Sequence, residues 1–310
     1  MKHSPFLAAL NHHPKLVWQG IHIFRNHILT RHRPLLASLK ITYRCNLRCQ
    51  PCPFHTMQSS ELTYSQVCSI LDQLHQRGNR LLVIEGGEPL LWKDHQTQYT
   101  IQHVVAYAKR LFFSVGITTN GTLPLDVPSD ILWVSIDGFA ATHNHLRGEG
   151  VFERVMENVS LSQHPKLYAH ITVNRLNYQE VPDLLQYLNG FFRGMTLQFY
   201  YPYNRQDDLF LDFAQRSALL QQVIELKRSG VHIMNSVASL KALKFNTWKC
   251  HDHLIDCANP DQSITQGCYL KSRADIDCAK CGFSPHTEIS LACRGNLQAI
   301  WTGMKVFLLP

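Results

Sequence analysis

The sequence predicts an α/β protein, built as a partial (β/α)6 TIM-like barrel with a cysteine-rich C-terminal extension. Two observations predict this fold class. Short apolar runs alternate about six times with segments whose apolar residues recur at helical spacing, and such alternation is typical of a parallel sheet covered by helices. From about residue 246 the sequence becomes rich in cysteine and irregular, which marks the extension.

The predicted elements follow one another with short connections. A strand over 36–42 leads into a loop with three cysteines, and a helix over 62–77 follows, with Gly78 as its C-terminal cap. The run 81–84 is continuously apolar, as expected of a strand that is buried on both faces. The remaining predicted strands are 112–118, 131–136, 166–173 and 195–200, and the remaining helices of the barrel are 101–111, 151–161 and 181–188.

The sequence beyond the sixth strand divides the chain further. Residues 213–245 predict a helix, a short strand at 231–234 and a second helix. We therefore expect a basic amphipathic helix within 1–34, a core barrel over 35–205, and helices with the cysteine-rich extension over 206–310.

Length and composition limit the class of protein. The chain has 310 residues, 45% of them apolar, so it can bury one large core. Its N-terminal apolar run is too short for a signal peptide, and no run is long enough to span a bilayer. Ten cysteines without a secretory leader suit a reducing compartment, where they bind metal or stay free. We therefore expect a cytoplasmic protein.

Much of the formal net charge of +7 lies in the first 40 residues. Apolar residues run through the same stretch at roughly helical spacing, which indicates a basic amphipathic helix. The favoured interpretation is a helix that packs its apolar face against the barrel. The alternative is a helix that lies on a membrane surface, so that the protein is peripheral there.

The loop after the first strand carries the most informative motif. Cys45, Cys49 and Cys52 stand at C-x3-C-x2-C spacing, which can bind three corners of a 4Fe-4S cluster and leave the fourth iron open. Arg44 and Arg48 would favour thiolates through their positive charge. Zinc is the alternative, but zinc sites usually combine paired C-x2-C units rather than an asymmetric triplet.

Three further segments follow this loop in a defined order, namely Glu85-Gly-Gly-Glu-Pro89, Thr118-Thr-Asn-Gly-Thr122 and Val134-Ser-Ile-Asp-Gly138. With the cysteine loop, they make residues 36–200 resemble the radical S-adenosylmethionine superfamily. The resemblance implies that the open iron chelates S-adenosyl-L-methionine and that reduction yields methionine and a 5′-deoxyadenosyl radical. It also implies an electron donor such as flavodoxin or ferredoxin. All four segments fall at the C-terminal ends of predicted strands, where barrels of this type hold their ligands.

The resemblance implies the cofactor-binding residues Gly86, Gly87, Glu88, Asn120, Ser135, Asp137 and Arg147. Glycines let backbone approach a ligand closely, and the Gly-Gly-Glu segment meets the amino group of S-adenosylmethionine in the family. Asn120 is equally compatible with a simple Asn-Gly turn. Ser135 and Asp137 are two apart on a strand, so they share one face. Arg147 could pair with a carboxylate of the cofactor.

The sequence departs from the family pattern in two places. Pro51 replaces the aromatic residue usual before the third cysteine, so an adenine contact there falls to the backbone or to Phe54. The sixth strand ends in 198–202 without the glycine-rich adenine segment of many members.

A second group of cysteines lies near the C-terminus. Cys278 and Cys281 form a C-x2-C pair, and Cys257 and Cys268 are the expected partners in a second metal site. An auxiliary iron–sulfur cluster and zinc both suit such a site. This region loosely resembles the hopanoid-biosynthesis adenosyltransferases, in Cys257-Ala-Asn-Pro260, in a Cys-Tyr-Leu element at 268–270 and in the C-x2-C pair that leads into Gly-Phe.

Three hypotheses for the function follow. The first is radical modification of a lipid such as a polyprenoid, by adenosyl addition or otherwise, as the adenosyltransferase resemblance implies. The second is hydrogen abstraction from a peptide or small metabolite, assisted by an auxiliary cluster. The third is a metal-containing nucleic-acid-binding protein, suggested only by charge and the C-x2-C pair. The third leaves the Gly-Gly-Glu and Ser-Ile-Asp segments unexplained, so we expect no nucleic-acid partner. The substrate itself is not encoded in a readable motif.

Overall fold

The computed structural model describes residues 14–29, 33–57, 61–202, 208–268, 270–271 and 277–309. Residues 1–13 and 30–32 of the predicted N-terminal segment, and residue 269 of the Cys-Tyr-Leu element, lie outside the described residues. Within the described part, helix α1 spans Pro14–Ile23 and continues as a π-helical turn over Phe24–Leu29.

The strands form a single eight-stranded sheet in the order β6-β5-β4-β3-β2-β1-β7-β8. Their bounds are β1 Leu36–Thr42, β2 Leu81–Gly86, β3 Ser114–Thr119, β4 Ile131–Ser135, β5 Leu167–Val173, β6 Gly194–Phe199, β7 Ile255–Ala258 and β8 Ile264–Gln266. All neighbours from β6 to β7 are parallel, and only β8 runs antiparallel, along β7. The predicted α/β class with a parallel sheet is confirmed.

Helices connect the parallel strands. Their bounds are α2 Tyr64–Arg77, α3 Ile101–Ala108, α4 Ala140–Arg147, α5 Val151–Leu161, α6 Val181–Leu188, α7 Phe213–Arg228, α8 Val237–Leu243, α9 Ser284–Cys293 and α10 Leu297–Gly303, with a π-helical turn over Met304–Leu308. Helix α4 was not predicted. The strand predicted at 231–234 is reduced to one bridge between Ile233 and Met195.

Helix α2 shows how closely local sequence controls these elements. Thr63 and Gln66 form a capping box at its N-terminus, which satisfies backbone donors that the first turn leaves open. Gly78 ends the helix in the left-handed conformation at φ +118°, as expected of a C-terminal glycine. Its apolar face is fully buried against the sheet.

The C-terminal region is less irregular than predicted. Strand β7 pairs in parallel with β1, in the register Leu36 opposite Ile255, so this region extends the main sheet. Asp256 makes the pairing possible, because its buried carboxylate receives Arg77 Nε at 2.7 Å, Arg77 Nη2 at 2.9 Å and Asn79 Nδ2 at 2.7 Å. Helices α9 and α10 then pack against each other and against α8.

The sheet curves around a central cavity of about 810 Å³, lined by side chains from all six strands of the predicted barrel. The outward faces of the strands bury the main core against the helices. The inward faces are polar towards the C-terminal ends of the strands and apolar towards their N-terminal ends. The apolar part is built from Leu36, Leu81, Val83, Trp133, Met234 and Ile255.

Helix α1 and the C-terminal segment meet at the N-terminal ends of the strands. Trp18 packs edge-on against Phe113, with ring centroids 5.3 Å apart. From the opposite end of the chain, Phe307 packs against the apolar lining, and Lys166 Nζ donates to Leu309 O at 2.5 Å. Helix α1 thus packs against the barrel, but Ile21 and Phe24 remain exposed, so the expected burial of its apolar face is only partial. In the part of the chain described, no helix is long and apolar enough to cross a membrane.

Asp256→Asn should lower the free energy of unfolding by about 2 kcal/mol, because it removes the buried charge that Arg77 and Asn79 share. Chemical denaturation of the purified protein measures this. Asp126→Asn is the matched control, since Asp126 is exposed and should change stability little. Equal effects of the two substitutions would show that the Asp256 contacts do not hold β7 in the sheet.

Candidate active site

The three cysteines of the loop after β1, Cys45, Cys49 and Cys52, all line the central cavity. The loop is closed by Cys52 N, which donates to Cys49 O at 3.1 Å. Within the described residues, no three His, Cys, Asp or Glu side chains converge closely enough to ligate one metal ion. The three thiols face one cavity but are too far apart to bind one ion. This spacing suits a cubane iron–sulfur cluster better than a single zinc ion.

A buried cation accompanies these thiols. Burial raises the pKa of Cys49 to about 11 and also raises the pKa of Cys52, while the positive charge of Arg147 acts in the opposite direction on both. Arg44 and Arg48, which the sequence suggested for this role, have exposed side chains and do not act on these pKa values. Arg147 is therefore the residue that favours thiolates here.

Gly86 and Gly87 lie where the cysteine loop crosses the end of β2. Gly87 N donates to Thr42 O at 2.7 Å. A Cβ atom on Gly86 would lie 2.3 Å from Thr42 O, and one on Gly87 would lie 2.2 Å from Arg44 O. Gly86 also has φ +143°, which side chains rarely adopt. Both glycines line the cavity, and both are required for the loop to pass so close.

Glu88 is fully buried behind this crossing and does not line the cavity. Its carboxylate accepts hydrogen bonds from Thr119 Oγ1 at 2.7 Å, Asn120 N at 2.7 Å and Leu90 N at 3.0 Å. Burial raises its pKa although these donors act against the shift. The Glu88 carboxylate thus connects the end of β2 to the end of β3 through hydrogen bonds.

Asn120 lies between Glu88 and the first cysteine and contacts both. Its Nδ2 donates to Asn46 Oδ1 at 2.9 Å and lies 3.7 Å from Cys45 Sγ, while its Oδ1 accepts from Thr122. The residue lines the cavity and is 7% exposed. Asn120 is therefore more than a turn residue, because its side chain holds the first cysteine in position.

Ser135, Asp137 and Arg147 also line the cavity. Arg147 Nε donates to Asp137 Oδ2 at 2.7 Å, and Thr172 N donates to Asp137 Oδ1 at 3.0 Å. Burial acts to raise the pKa of Asp137, but the nearby Arg147 charge lowers it overall. This ion pair keeps a charged, anchored group beside the cysteines.

The sequence analysis missed a second polar group in the cavity. Lys40 Nζ lies 2.7 Å from Glu85 Oε1, the Ser38 hydroxyl donates to the same oxygen, and the ammonium lies 5.6 Å from the ring centre of Phe54. His170 lines the same cavity, and its Nδ1 forms a hydrogen bond with Thr196 Oγ1 at 2.9 Å. The signal that could have found them is the presence of polar residues at alternate positions of otherwise apolar strands.

The structure brings Cys250 near the second cysteine group, to which the prediction did not assign it. Burial, Asp252 and the thiols of Cys281, Cys268 and Cys278 together raise the pKa of Cys250 to about 12, although these cysteines do not converge closely enough to ligate a single metal ion. Cys257 lies buried in β7, where its thiol donates to Gly267 O at 3.5 Å.

An unusual buried cation lies next to this group. The guanidinium of Arg216 stacks over Phe199 at 4.3 Å and Phe213 at 4.9 Å and donates to Cys281 O at 3.1 Å. Its Nε and Nη2 are buried and have no hydrogen-bond partner among the described residues. Burial lowers its pKa to about 10. A buried guanidinium with unpaired N–H groups is unfavourable unless an anion lies nearby. A metal centre bound by thiolates carries negative charge and would be such an anion.

Comparison with known proteins agrees with this geometry. Residues 39–188 match the model of the Radical SAM superfamily. The Fe-coproporphyrin III synthase of Methanosarcina barkeri is 27% identical over 162 residues, which is 48% of this chain and 39% of that protein. The sporulation killing factor maturation protein SkfB of Bacillus subtilis is 28% identical over 185 residues, 55% of this chain and 43% of that protein.

The fold is also found in solved structures. Streptococcus suis SuiB bound to S-adenosylmethionine superposes with a TM-score of 0.64 at 14% identity, over 93% of this chain and 73% of SuiB. The matched sequence region, in contrast, spans less than half the length of these two curated relatives. The resemblance to hopanoid adenosyltransferases has no counterpart among these similarities. Residues 39–188, which hold the cysteine loop and the strand ends described above, are thus similar to the radical S-adenosylmethionine superfamily of enzymes.

Proposed function

We propose that this enzyme cleaves S-adenosyl-L-methionine reductively at a 4Fe-4S cluster held by Cys45, Cys49 and Cys52, and modifies an apolar substrate, such as a polyprenoid lipid, in the central cavity. The observation that carries the proposal is that the three thiols open into a cavity whose far half is apolar. An electron donor such as flavodoxin or ferredoxin supplies the reducing electron.

The cysteine loop fits the cluster in number and position. Three protein thiolates leave one iron free for the amino and carboxylate groups of S-adenosylmethionine. When bound and reduced, the cluster and S-adenosylmethionine supply a 5′-deoxyadenosyl radical. The chain's own contribution is to hold the thiols through Asn120 and to balance their charge through Arg147.

The cavity residues suggest how the cofactor is oriented. Gly86 and Gly87 have no side chains, so their backbone is the surface beside the cysteines. Ser135 and the Asp137–Arg147 pair provide hydrogen bonds and charge in the same cavity, and Phe54 offers a ring face for the adenine. Glu88, whose oxygens are already occupied, acts as a positioning residue rather than as a cofactor contact.

The shape and chemistry of the cavity favour an apolar substrate. Polar groups surround its cysteine end, while the lining towards the N-terminal ends of the strands consists mainly of aliphatic and aromatic side chains. Burying apolar surface there contributes about 25 cal/mol per Å². A substrate with a reactive group at one end and an extended apolar body matches this arrangement.

Changing Cys45, Cys49 and Cys52 together to Ala should abolish formation of 5′-deoxyadenosine from S-adenosylmethionine under reducing, anaerobic conditions. The amount of 5′-deoxyadenosine formed is measured by chromatography of the reaction mixture. With candidate polyprenoids, the unmodified protein should give an apolar product that carries adenine or another radical modification. Formation of free 5′-deoxyadenosine alone with every apolar candidate would count against the lipid substrate but not against the radical chemistry.

Gly87→Ala should displace the cysteine loop, because the new methyl group would meet Arg44 O. We expect reconstituted iron and 5′-deoxyadenosine formation to fall by at least about tenfold, corresponding to about 1.4 kcal/mol. Gly190→Ala is the control, since nothing lies closer than 4.0 Å to its Cβ position. Retention of iron in Gly87→Ala would show that the crossing tolerates a side chain.

A second candidate function is supported by the other cysteine group. Cys250, Cys268, Cys278 and Cys281 would bind an auxiliary iron–sulfur cluster, or zinc, and Arg216 would balance part of its negative charge. Tyr201 and Phe283, stacked at 6.0 Å, pack against Cys268 and Cys281 and also line the central cavity. An auxiliary cluster so close to the cavity would suit hydrogen abstraction from a peptide or metabolite.

This second metal site has its own test. If it holds an iron–sulfur cluster, protein with Cys45, Cys49 and Cys52 changed to Ala should retain about four irons after anaerobic reconstitution, and adding Cys250→Ala should remove them. Adding Cys257→Ala instead should leave them in place. Zinc in place of iron would identify a structural site, and loss of metal with Cys257→Ala would restore the ligand set predicted from sequence.

A further inference from the structure

The central cavity has a second rim, at the N-terminal ends of the strands. Ile21 and Phe24 of the α1 segment line the cavity and are also 61% and 53% exposed, so they stand at an opening. Ile300 and Met304, from α10 and its π-helical continuation, line the same end of the cavity and are partly exposed. This opening is distinct from the cysteine end, because the length of the strands separates the two.

The exposed side chains at this rim form a coherent apolar surface. Trp18 lies one helical turn before Ile21 and is 57% exposed, although its ring edge packs against Phe113. Trp18, Ile21 and Phe24 follow one another at spacing of three residues along the helix, so they share a face. Large apolar side chains that are exposed together mark an interaction site.

Several cationic side chains lie near this rim. Arg25 is exposed beside Phe24, and Arg33 is exposed at the start of the chain leading to β1. Burial lowers the pKa of His22, and the positive charges of Arg80, Arg25 and Arg33 lower it further, so these cations lie near one another. The N-terminal segment itself contains no Asp or Glu before Glu61. Its exposed cations therefore complement an anion.

We propose that the surface formed by Trp18, Ile21, Phe24 and Arg25 docks onto an anionic lipid bilayer. Trp18, Ile21 and Phe24 enter the boundary between headgroups and acyl chains, and Arg25 contacts the anionic headgroups. The opening between α1 and α10 then faces the bilayer, and an apolar substrate passes from the membrane into the cavity. Only this last step rests on the proposed function. The docking itself does not depend on what the enzyme modifies.

Two features of the molecule favour a bilayer over other occupants. The apolar surface is continuous with an apolar cavity, so a lipid chain can leave the membrane without crossing water. The polar border is basic, as in helices that lie in an anionic interface.

The test is co-sedimentation of the full-length protein with vesicles of phosphatidylcholine alone or mixed with phosphatidylglycerol. We expect binding to the mixed vesicles that weakens with salt, and little binding to phosphatidylcholine alone. Ile21→Asp combined with Phe24→Asp should weaken binding by at least about tenfold, or about 1.4 kcal/mol. Iron per chain and the thermal unfolding temperature check that the variant is folded.

The matched control replaces two exposed apolar residues elsewhere. Leu161 and Phe245 are 70% and 59% exposed and do not line the cavity, so Leu161→Asp with Phe245→Asp should bind vesicles as the unmodified protein does. Arg25→Gln should weaken binding to the anionic vesicles severalfold, whereas Arg228→Gln, at an exposed position of α7, should not.

Two results would overturn the docking surface. One is equal vesicle binding by the two Asp double variants. The other is a dimer, without vesicles, that dissociates in Ile21→Asp with Phe24→Asp, since the surface would then bind a second copy of the chain. Formation of 5′-deoxyadenosine in solution, measured separately, reports on the proposed function, so failure of one proposal is distinguishable from failure of the other.

Discussion

The crossing of the cysteine loop over Gly86 and Gly87 is the contact on which the site depends. Thr42 and Arg44 present their carbonyl groups so closely to β2 that no Cβ atom fits between them. Glu88 then secures β2 to β3 from the buried side, and Asn120 carries the connection to Cys45. The thiols are thus positioned by backbone contacts between three neighbouring strand ends, which move little once the sheet has formed.

Much of this arrangement could be predicted because parallel strands bring their C-terminal ends to one edge of a sheet. The Gly-Gly-Glu, Thr-Asn-Gly and Ser-Ile-Asp segments are far apart in sequence, yet each follows an apolar run, and that alone places them together. Their individual roles could not be predicted in the same way. Glu88 looks like a ligand in sequence, but its three hydrogen bonds show that it supports the loop from behind.

The features that the sequence concealed depend on contacts between distant residues. Strand β7 is short and contains Asp256, which resembles a loop residue until Arg77 and Asn79 are brought to it by the fold. In the same way, the C-x2-C pair indicates two neighbouring ligands, but only tertiary structure brings Cys250 near them.

The polarity of the cavity also bears on the kind of substrate. A peptide in the apolar half would bury amide groups, and each amide without a hydrogen-bond partner costs about 1–3 kcal/mol. A hydrocarbon chain carries no such cost there.

The two ends of the cavity have a further consequence. S-adenosylmethionine bound at the cysteines would obstruct that mouth, so a substrate that enters between α1 and α10 reaches the reactive end without displacing the cofactor. Under the proposed function, cofactor exchange and substrate entry would therefore be separate events at opposite ends of the strands.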